Sequence, residues 1–168
     1  SKTGSASSDF DLNPDITLPE GRVLKPAAVL VGVRENGNLI LTKRSAKLKH
    51  HPGQIALPGG KMDDTDADLA AAAIREAREE IGLPSEQVDV IGSLPCHETV
   101  TAYQVTPIVG LIQGDYTIIP EAGEVAEVFE VPFTHYTNPA NYRIEGRRWQ
   151  GRRRAYFVAP FGAYYIWG

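Results

Sequence analysis

The chain has 168 residues, of which 42% are hydrophobic and 23% are charged, and its formal net charge is −4. This length predicts a single globular domain that buries a sizeable core. The acidic balance argues against a nonspecific nucleic-acid binder, because such proteins are basic across the whole domain. We therefore expect a small-molecule ligand or substrate and no nucleic-acid partner.

Cysteine usage and hydropathy indicate the compartment. Cys96 is the one cysteine in the sequence, so no internal disulfide forms and a reducing environment is favoured. No run approaches the roughly 18 apolar residues of a membrane helix, and no signal-peptide pattern is visible at the N-terminus. We expect a cytoplasmic protein without a membrane partner.

The predicted elements begin with a leader and a hairpin. Residues 1–22 are expected to be a flexible leader, since the first nine are small and polar, and residues 23–168 to be one domain. Ala27 to Val33 is a nearly continuous apolar run that predicts a buried strand. Glu35-Asn36-Gly37 predicts a turn, and the return strand begins with Leu39 to Leu41.

An amphipathic helix is predicted next. Its apolar stripe predicts that one side is buried and that the carboxylates on the other side stay free. Asp66 and Asp68 suit the positive N-terminal end of this helix, and Gly82 is placed where a left-handed cap is expected. The stripe consists of Ala70, Ala73, Ile74, Ala77 and Ile81.

Three carboxylates on this helix carry the chemical prediction. Glu76, Glu79 and Glu80 stand at i, i+3 and i+4, so their side chains project from one patch. The like-charge pair at i, i+4 costs a few tenths of a kcal/mol unless a cation lies between the two groups. An ordinary solvated helix, with Arg75 paired to Glu79, is the alternative. The diglycine turn before the helix and the glycine stop after it favour a divalent-metal site.

Further strands are predicted beyond the helix. Pro107 interrupts one of them, which suits an edge strand or a bulge. Val125 to Val131 alternates imperfectly and predicts either a strand or a short helix. The other predicted strands are Val88 to Ile91, Val105 to Ile112, and a hairpin of Tyr142 to Trp149 with Arg153 to Ala159 around Gln150-Gly151.

The segment around the predicted helix resembles the signature of the Nudix hydrolases. That signature is a glycine, five residues, a glutamate, seven residues, and then Arg-Glu-aliphatic-x-Glu-Glu-x-Gly-aliphatic. Arg75 lies one residue further from the glycine than the signature requires, Asp66 best matches the first acidic position, and Ala77 is a small aliphatic residue. The matching residues are Gly60, Arg75, Glu76, Glu79, Glu80, Gly82 and Leu83.

This resemblance implies a fold. We expect an α/β protein with the Nudix-type α/β/α sandwich, a mixed β-sheet and the signature loop-helix-loop. Members of the family usually continue past a segment like Ile166-Trp167-Gly168 into a second long helix. The chain stops at this point without the expected C-terminal helix, so we expect either a shortened polypeptide or a member that covers its sheet differently.

The one-residue insertion and an upstream segment resemble the branch of the family that cleaves coenzyme A. Residues 41–60 agree at most fixed positions with the pattern of that branch, Leu-x-Arg-Ser-x-x-Leu-Arg-x-His-x-Gly-Gln-x-x-Phe-Pro-Gly-Gly. Lys49 stands where this branch usually has arginine, and Leu57 where it usually has phenylalanine. The resemblance implies hydrolysis of the coenzyme to a pantetheine phosphate and adenosine 3′,5′-bisphosphate.

The resemblance also implies residue roles. Glu76, Glu79 and Glu80 would hold Mg²⁺ or Mn²⁺, with Gly60 offering a backbone carbonyl and Arg75 orienting a glutamate. The substrate-binding residues would be Arg44, Ser45, Lys49, Gly53 and Gln54. The general base would be one of the same glutamates or a later one. Glu124, which follows Gly123 in a predicted loop, ranks first, Glu127 second, with Glu121 and Glu130 as the other candidates.

Other functions remain open from sequence. A Nudix hydrolase for ADP-ribose or another nucleoside diphosphate derivative is the second enzymatic reading. A Nudix-fold binding module without catalysis is the third, although the complete set of glutamates speaks against it. The arginines at positions 147, 148 and 152–154 are interpreted as solvated rather than as a phosphate or RNA site. A homodimer is also predicted, with Tyr164, Tyr165 and Trp167 at its interface or in the core.

Overall fold

The structure of the protein is a computed structural model that describes residues 4–16, 20–48, 51–149 and 151–167, without the side chains of Trp149 and Arg152. Its strands are β1 (Ser7–Ser8), β2 (Lys25–Arg34), β3 (Asn38–Arg44), β4 (Ile55–Ala56), β5 (Gly59–Lys61), β6 (Val88–Ser93), β7 (His97–Glu98), β8 (Tyr103–Ile112), β9 (Val125–Pro132), β10 (Arg143–Trp149), β11 (Arg152–Phe161) and β12 (Tyr164–Trp167). Its α-helices are α1 (Leu69–Ile81) and α2 (Phe133–Tyr136), and short 3₁₀ turns span Ser85–Gln87 and Pro139–Asn141.

Nine of these strands form one mixed sheet. The strand order is β1-β7-β8-β2-β3-β4, while β5 pairs with β2, β6 with β8, and β9 with β3. Strands β2 and β8 run parallel in the middle of this sheet over ten residue pairs. Their apolar character on both faces follows from this position, since both faces of the central strands are covered. The predicted mixed sheet is confirmed.

Helix α1 covers one face of the sheet. The small side chains of Ala72, Ala73 and Ala77 are buried and let the helix lie close to Ala28 and Leu30 of β2. Four residues of the predicted stripe, Ala70, Ala73, Ala77 and Ile81, therefore pack on the buried side together with Ala72, whereas Ile74 is half-buried. Close packing of this kind fixes the angular position of every other side chain on the helix.

The opposite face is covered by a second, three-stranded sheet and the one-turn helix α2. Strands β10, β11 and β12 are antiparallel neighbours in this order. Ile166 of β12 packs with Leu41 and Phe129 of the large sheet. Within the described residues, these elements occupy the layer where a second long helix was expected. Among the described residues, neither α1 nor α2 is long and apolar enough to span a bilayer.

The structure settles the remaining strand predictions. The segment from Val125 is the strand β9, and the late arginine-rich segment is the predicted hairpin, although Gln150 of its turn lies outside the described residues. The edge-strand interpretation of Pro107 is wrong, because β8 is paired on both sides. Pro107 lies where the antiparallel partner of β8 changes from β6 to β7, and its carbonyl accepts the Leu94 N–H at 2.9 Å.

Part of the predicted leader is held against the domain. Strand β1 pairs in parallel with β7, at Ser7 with His97 and Ser8 with Glu98. The side chain of Asn13 also makes two hydrogen bonds with the backbone of Ala155, one to its N–H at 2.8 Å and one to its carbonyl at 3.0 Å. Residues 7–13 thus join the edge of the large sheet to the smaller sheet, and the expected flexible leader does not describe them.

Candidate active site

Helix α1 begins and ends at the residues that the sequence indicated. The Asp68 side chain accepts a hydrogen bond from the Ala71 N–H at 2.8 Å, which satisfies one of the free donors at the helix N-terminus. Gly82 has a φ of 73° and ends the helix in the left-handed conformation, with its N–H donating to the Arg78 carbonyl. The helix is therefore fixed at both ends on either side of the glutamates.

Arg75 ties the helix to the preceding loop. Its guanidinium donates to both oxygens of Asp66, at 2.9 and 3.0 Å, and to the Lys61 carbonyl at 3.1 Å. The same group reaches Glu76 Oε1 at 3.0 Å and Glu79 Oε2 at 3.1 Å. The hydrogen bonds from Arg75 lower the pKa of Asp66, whose side chain is 4% exposed, and Asp66 in turn raises the pKa of Arg75. Arg75 thus links the loop to two of the three glutamates.

The three glutamates differ in burial. The side chain of Glu79 is 58% exposed, whereas Glu80 is buried at 7% and accepts the Gly59 N–H at 3.2 Å. The expectation that all three carboxylates stay free is therefore wrong for Glu80. The helix is rotated so that Glu80 faces the β5 backbone, because the alanine side of α1 lies so close to the sheet.

Burial and crowding favour the protonated forms of two of these carboxyls. Burial raises the pKa of Glu80 to about 7, and the charges of Glu76 and Glu124 act in the same direction against the Gly59 N–H and Arg44. Burial also raises the pKa of Glu76, with Glu79 and Glu124 adding to the effect and Arg75 opposing it. The site therefore holds more negative charge than its protein neighbours neutralise.

The two glycines before the loop lie in strand β5 and not in the predicted turn. A Cβ on Gly59 would lie 2.4 Å from the Ala28 carbonyl oxygen, and one on Gly60 would lie 2.5 Å from Glu76 Oε1. Each glycine is therefore required by a close approach, of backbone in one case and of a site carboxylate in the other. The pairing of Gly60 with Ala28 fixes its backbone beside Glu76.

A later loop brings a fourth carboxylate to the site. The Glu121 N–H donates to the Glu80 carbonyl at 2.9 Å, so this loop is joined to the end of α1. Glu124 lies in the same turn, and its charge raises the pKa of both Glu76 and Glu80. The first-ranked base candidate thus lies in a turn that is joined to the end of the helix.

The other base candidates are engaged elsewhere. Glu127 accepts a hydrogen bond from the Tyr164 hydroxyl. Glu130 binds Arg34 and two asparagine side chains, and these contacts lower its pKa against the opposing effect of burial. Sequence reasoning missed the capping role of Glu121, for which the only signal was a carboxylate placed two residues before Gly123.

The upstream segment forms a closed loop beside the carboxylates. The Arg44 N–H donates to the Gln54 carbonyl at 2.8 Å, and the Gly53 N–H donates to the Arg44 carbonyl at 3.1 Å. The Ser45 N–H donates to the Glu124 carbonyl at 2.7 Å, and the Arg44 charge lowers the pKa of Glu80. The structure thus brings Arg44, Ser45, Gly53 and Gln54 together at the site, whereas Lys49 lies outside the described residues.

Two aromatic residues proposed for an interface have partners within the chain. Tyr164 stacks on Phe129, with ring centroids 3.6 Å apart, and it packs against the core. The Tyr165 hydroxyl donates to Glu145. Tyr164 therefore belongs to the core, and the homodimer stays a prediction.

The donor chemistry of the site fits a hard divalent cation. Carboxylate oxygens are the ligands that Mg²⁺ and Mn²⁺ prefer. Neighbouring carboxylates add to the effect of burial in raising the pKa of Glu76 and of Glu80, as expected of a site that lacks positive charge. Among the described residues, no three acidic, histidine or cysteine side chains are already arranged as metal ligands. Arg75 instead holds Glu76 and Glu79 by hydrogen bonds.

Comparison with known proteins gives the family. Residues 23–150 match the NUDIX domain. The Nudix hydrolase NudL of Cronobacter sakazakii, itself described as uncharacterized, is 45% identical over 86% of this chain and 76% of its own length. NudL of an Enterobacter species is 39% identical over 94% of this chain and 89% of its own length.

Solved structures share the fold. A NUDIX hydrolase from Nitrosomonas europaea superposes with a TM-score of 0.56 at 19% identity, over 76% of this chain and 67% of that one. RenU, a Nudix hydrolase from M. smegmatis, gives a TM-score of 0.50 at 25% identity, over 66% of this chain and 71% of that one. With its arginine and glutamates assembled at one end of α1, the chain belongs to the Nudix hydrolase family, enzymes that hydrolyse pyrophosphate bonds in nucleoside diphosphate derivatives and generally use divalent ions such as Mg²⁺ or Mn²⁺.

Proposed function

We propose that the protein hydrolyses the diphosphate bond of coenzyme A or its derivatives, giving 4′-phosphopantetheine, or its acyl form, and adenosine 3′,5′-bisphosphate. The observation that carries this proposal is the position of the loop closed by Arg44 and Gln54. This loop has the sequence pattern of the coenzyme A branch, and it is joined to the carboxylate cluster through Ser45 and Glu124.

The carboxylates would provide the metal site. Glu76, Glu79 and Glu80, with the backbone carbonyl of Gly60, are the proposed ligands of Mg²⁺ or Mn²⁺. A divalent ion held there supplies positive charge for the oxygens of the diphosphate. Arg75 would keep Glu76 and Glu79 oriented through its own anchors, the Lys61 carbonyl at the end of β5 and Asp66 in the following loop.

Glu124 would act as the general base. Its turn is joined to the end of α1 by the hydrogen bond from the Glu121 N–H to the Glu80 carbonyl, and its carboxylate would take the proton of the attacking water. The water oxygen forms a bond to one phosphorus, and the bond from that phosphorus to the bridging oxygen breaks. The bridging oxygen leaves with the other phosphate, so no covalent intermediate with the protein is formed.

Arg44 would bind the substrate. Its charge lowers the pKa of Glu80, and its backbone closes the loop that is joined to the Glu124 turn through Ser45. A diphosphate held between the metal ligands and this loop would receive a planar cation suited to phosphate oxygens. Ser45, Gly53 and Gln54 would shape the same wall, and Lys49 would add a second cation.

The first test is product analysis with coenzyme A. The protein is incubated with coenzyme A and Mg²⁺ or Mn²⁺, with a chelated control, and the products are separated by chromatography. We expect metal-dependent release of adenosine 3′,5′-bisphosphate. An intact coenzyme together with metal-dependent cleavage of ADP-ribose would reassign the substrate, and cleavage of neither would favour a binding module.

A matched pair of variants ties the activity to the site. Glu79→Gln and Glu80→Gln remove one proposed ligand charge each and should abolish turnover while the fold survives. Glu86→Gln makes the same change at an exposed glutamate in the 3₁₀ turn after α1 and should leave turnover intact. Turnover retained in both site variants would contradict the assignment.

A further inference from the structure

Glu121 uses both its backbone and its side chain to hold one turn together. Its carboxylate accepts the N–H groups of Gly123 at 2.8 Å and Glu124 at 2.6 Å. Its carbonyl accepts the Val125 N–H at 2.8 Å, and its own N–H donates to the Glu80 carbonyl at 2.9 Å. This exposed residue therefore connects the end of α1 to the turn that carries Glu124.

The backbone of Glu124 is held from two sides. Its N–H donates to the Glu121 carboxylate at 2.6 Å and to the Glu121 carbonyl at 3.2 Å, and its own carbonyl accepts the Ser45 N–H at 2.7 Å. Its side chain makes no hydrogen bond with any other residue that the structure describes, so among these residues the backbone of the turn determines where the carboxylate lies. A change in the turn would therefore move this carboxylate directly.

We propose that Glu121 is a positioning residue for Glu124, holding the turn that carries Glu124 against the end of α1 at Glu80. This inference rests on the proposed function, in which Glu124 acts as the base. Glu121 is assigned no contact with substrate. Its two hydrogen bonds to backbone N–H groups are charge-assisted and directional, which suits a group that fixes geometry.

The exposure of Glu121 makes the proposal testable without loss of the fold. The residue packs against no described core cluster, and most substitutions at exposed positions change stability little. A displacement of a catalytic group by about 1 Å lowers the rate by up to about a hundredfold. We therefore expect Glu121→Ala to reduce kcat for coenzyme A roughly ten- to hundredfold, with KM changed less than about twofold.

Conservative variants separate the hydrogen bonds from other effects. Glu121→Gln keeps an oxygen acceptor without the charge, and Glu121→Asp supplies the side chain that most readily caps its own turn. Both should recover most of the lost kcat. Glu35→Ala, a change at an exposed glutamate in the β2–β3 turn, is the control and should leave kcat and KM unchanged.

A double-mutant cycle decides whether Glu121 acts through Glu124. Glu124→Gln should lower kcat strongly, and adding Glu121→Ala to it should cause no further loss. Losses that multiply, full activity of Glu121→Ala, or full activity of Glu124→Gln would each overturn the positioning role. Wild-type protein that cleaves neither coenzyme A nor ADP-ribose would instead overturn the proposed function, and the positioning role with it.

Discussion

Arg75 and Asp66 form a two-point salt bridge, with Nε to Oδ1 at 2.9 Å and Nη2 to Oδ2 at 3.0 Å. The salt bridge forms although Asp66 stands where the family signature has the longer glutamate, and although Arg75 lies one residue further along the chain than in the signature. The same guanidinium contacts Glu76 and Glu79, so the loop and the site share one cation. The position of these glutamates therefore depends on the planar geometry of Arg75.

Arg75→Lys should impair catalysis more than folding. Lysine keeps the charge but loses the fork that contacts Asp66 at two points, and it cannot serve the glutamates at the same time. We expect kcat to fall at least about tenfold, with a small change in melting temperature. Arg78→Lys, at an exposed arginine of the same helix, is the control for kcat and thermal unfolding. Equal kcat in the two variants would contradict the role of the fork.

Alanine at Gly60 and at Gly59 should fail in different ways. At Gly60 the new Cβ meets the Glu76 carboxylate, which is the end of a flexible side chain and moves aside at the cost of its site position. At Gly59 the Cβ meets the backbone of Ala28 and Val29, which cannot move without breaking the pairing of β2 and β5. We expect Gly60→Ala to lose activity and metal affinity at nearly native stability.

The comparison needs stability and metal binding for both variants. Gly59→Ala should lower the melting temperature by several degrees, since each kcal/mol shifts it by about 2–4 °C in a chain of this size. Urea unfolding and Mn²⁺ titration give the two quantities. A Gly60→Ala variant that is less stable than Gly59→Ala would show that the close approach to Glu76 is structural.

The sequence predicted the local parts of the site because their determinants are local. Helical spacing places Glu76, Glu79 and Glu80 on one patch, and the cap residues Asp68 and Gly82 mark the ends of the helix. These features depend on residues within a few positions of each other. The signature matched Asp66 to its first acidic position but did not predict the salt bridge of Asp66 with Arg75.

What the sequence did not predict depends on packing between distant segments. The burial of Glu80 follows from the close approach of the alanines of α1 to the sheet. A helical wheel shows which residues share a face, but it does not show how close that face lies to another element. The hydrogen bond between Ser45 and Glu124 joins residues that are 79 positions apart in the sequence (124 − 45). The layer formed by β10, β11 and β12 was missed as a cover because the pattern of a hairpin does not say what it packs on.

Burial of Glu80 should make stability without metal fall as the pH rises. The folded protein holds the Glu80 proton up to a pKa of about 7, whereas the unfolded chain releases it near 4.5. Its contribution is fully present below pH 4.5 and is lost as the pH rises through about 7. Melting temperatures of chelator-treated protein should therefore drop between pH 5 and pH 7.5. Glu80→Gln should show a smaller drop, and an equal drop would refute the assignment to Glu80.

The pair of Asp9 and His97 should make the attachment of the N-terminal segment depend on pH. His97 Nε2 lies 2.8 Å from Asp9 Oδ1, and Asp9 Oδ2 accepts the Val100 N–H at 2.8 Å. Hydrogen bonds to His97 and Val100, with the charges of His97 and Arg154, lower the pKa of Asp9 against the opposing effect of burial. The hydrogen bond to Asp9, with the charges of Asp11 and Glu98, raises the pKa of His97.

The two shifts define a pH window for this attachment. The Asp9 contribution is present above pH 3.8 and is lost as the pH falls through the lowered pKa of the folded state. The His97 contribution is present below pH 6.5 and is lost as the pH rises through its raised pKa. Protection factors for the amides of Ser7 and Asp9, which bind the carbonyls of Cys96 and Glu98, should be greatest between these two values. His97→Gln should remove the loss of amide protection at alkaline pH, because His97 is the imidazole that bonds Asp9. His135→Gln is the control and should keep this loss. A loss of protection that survives in His97→Gln would assign the pH dependence to another group.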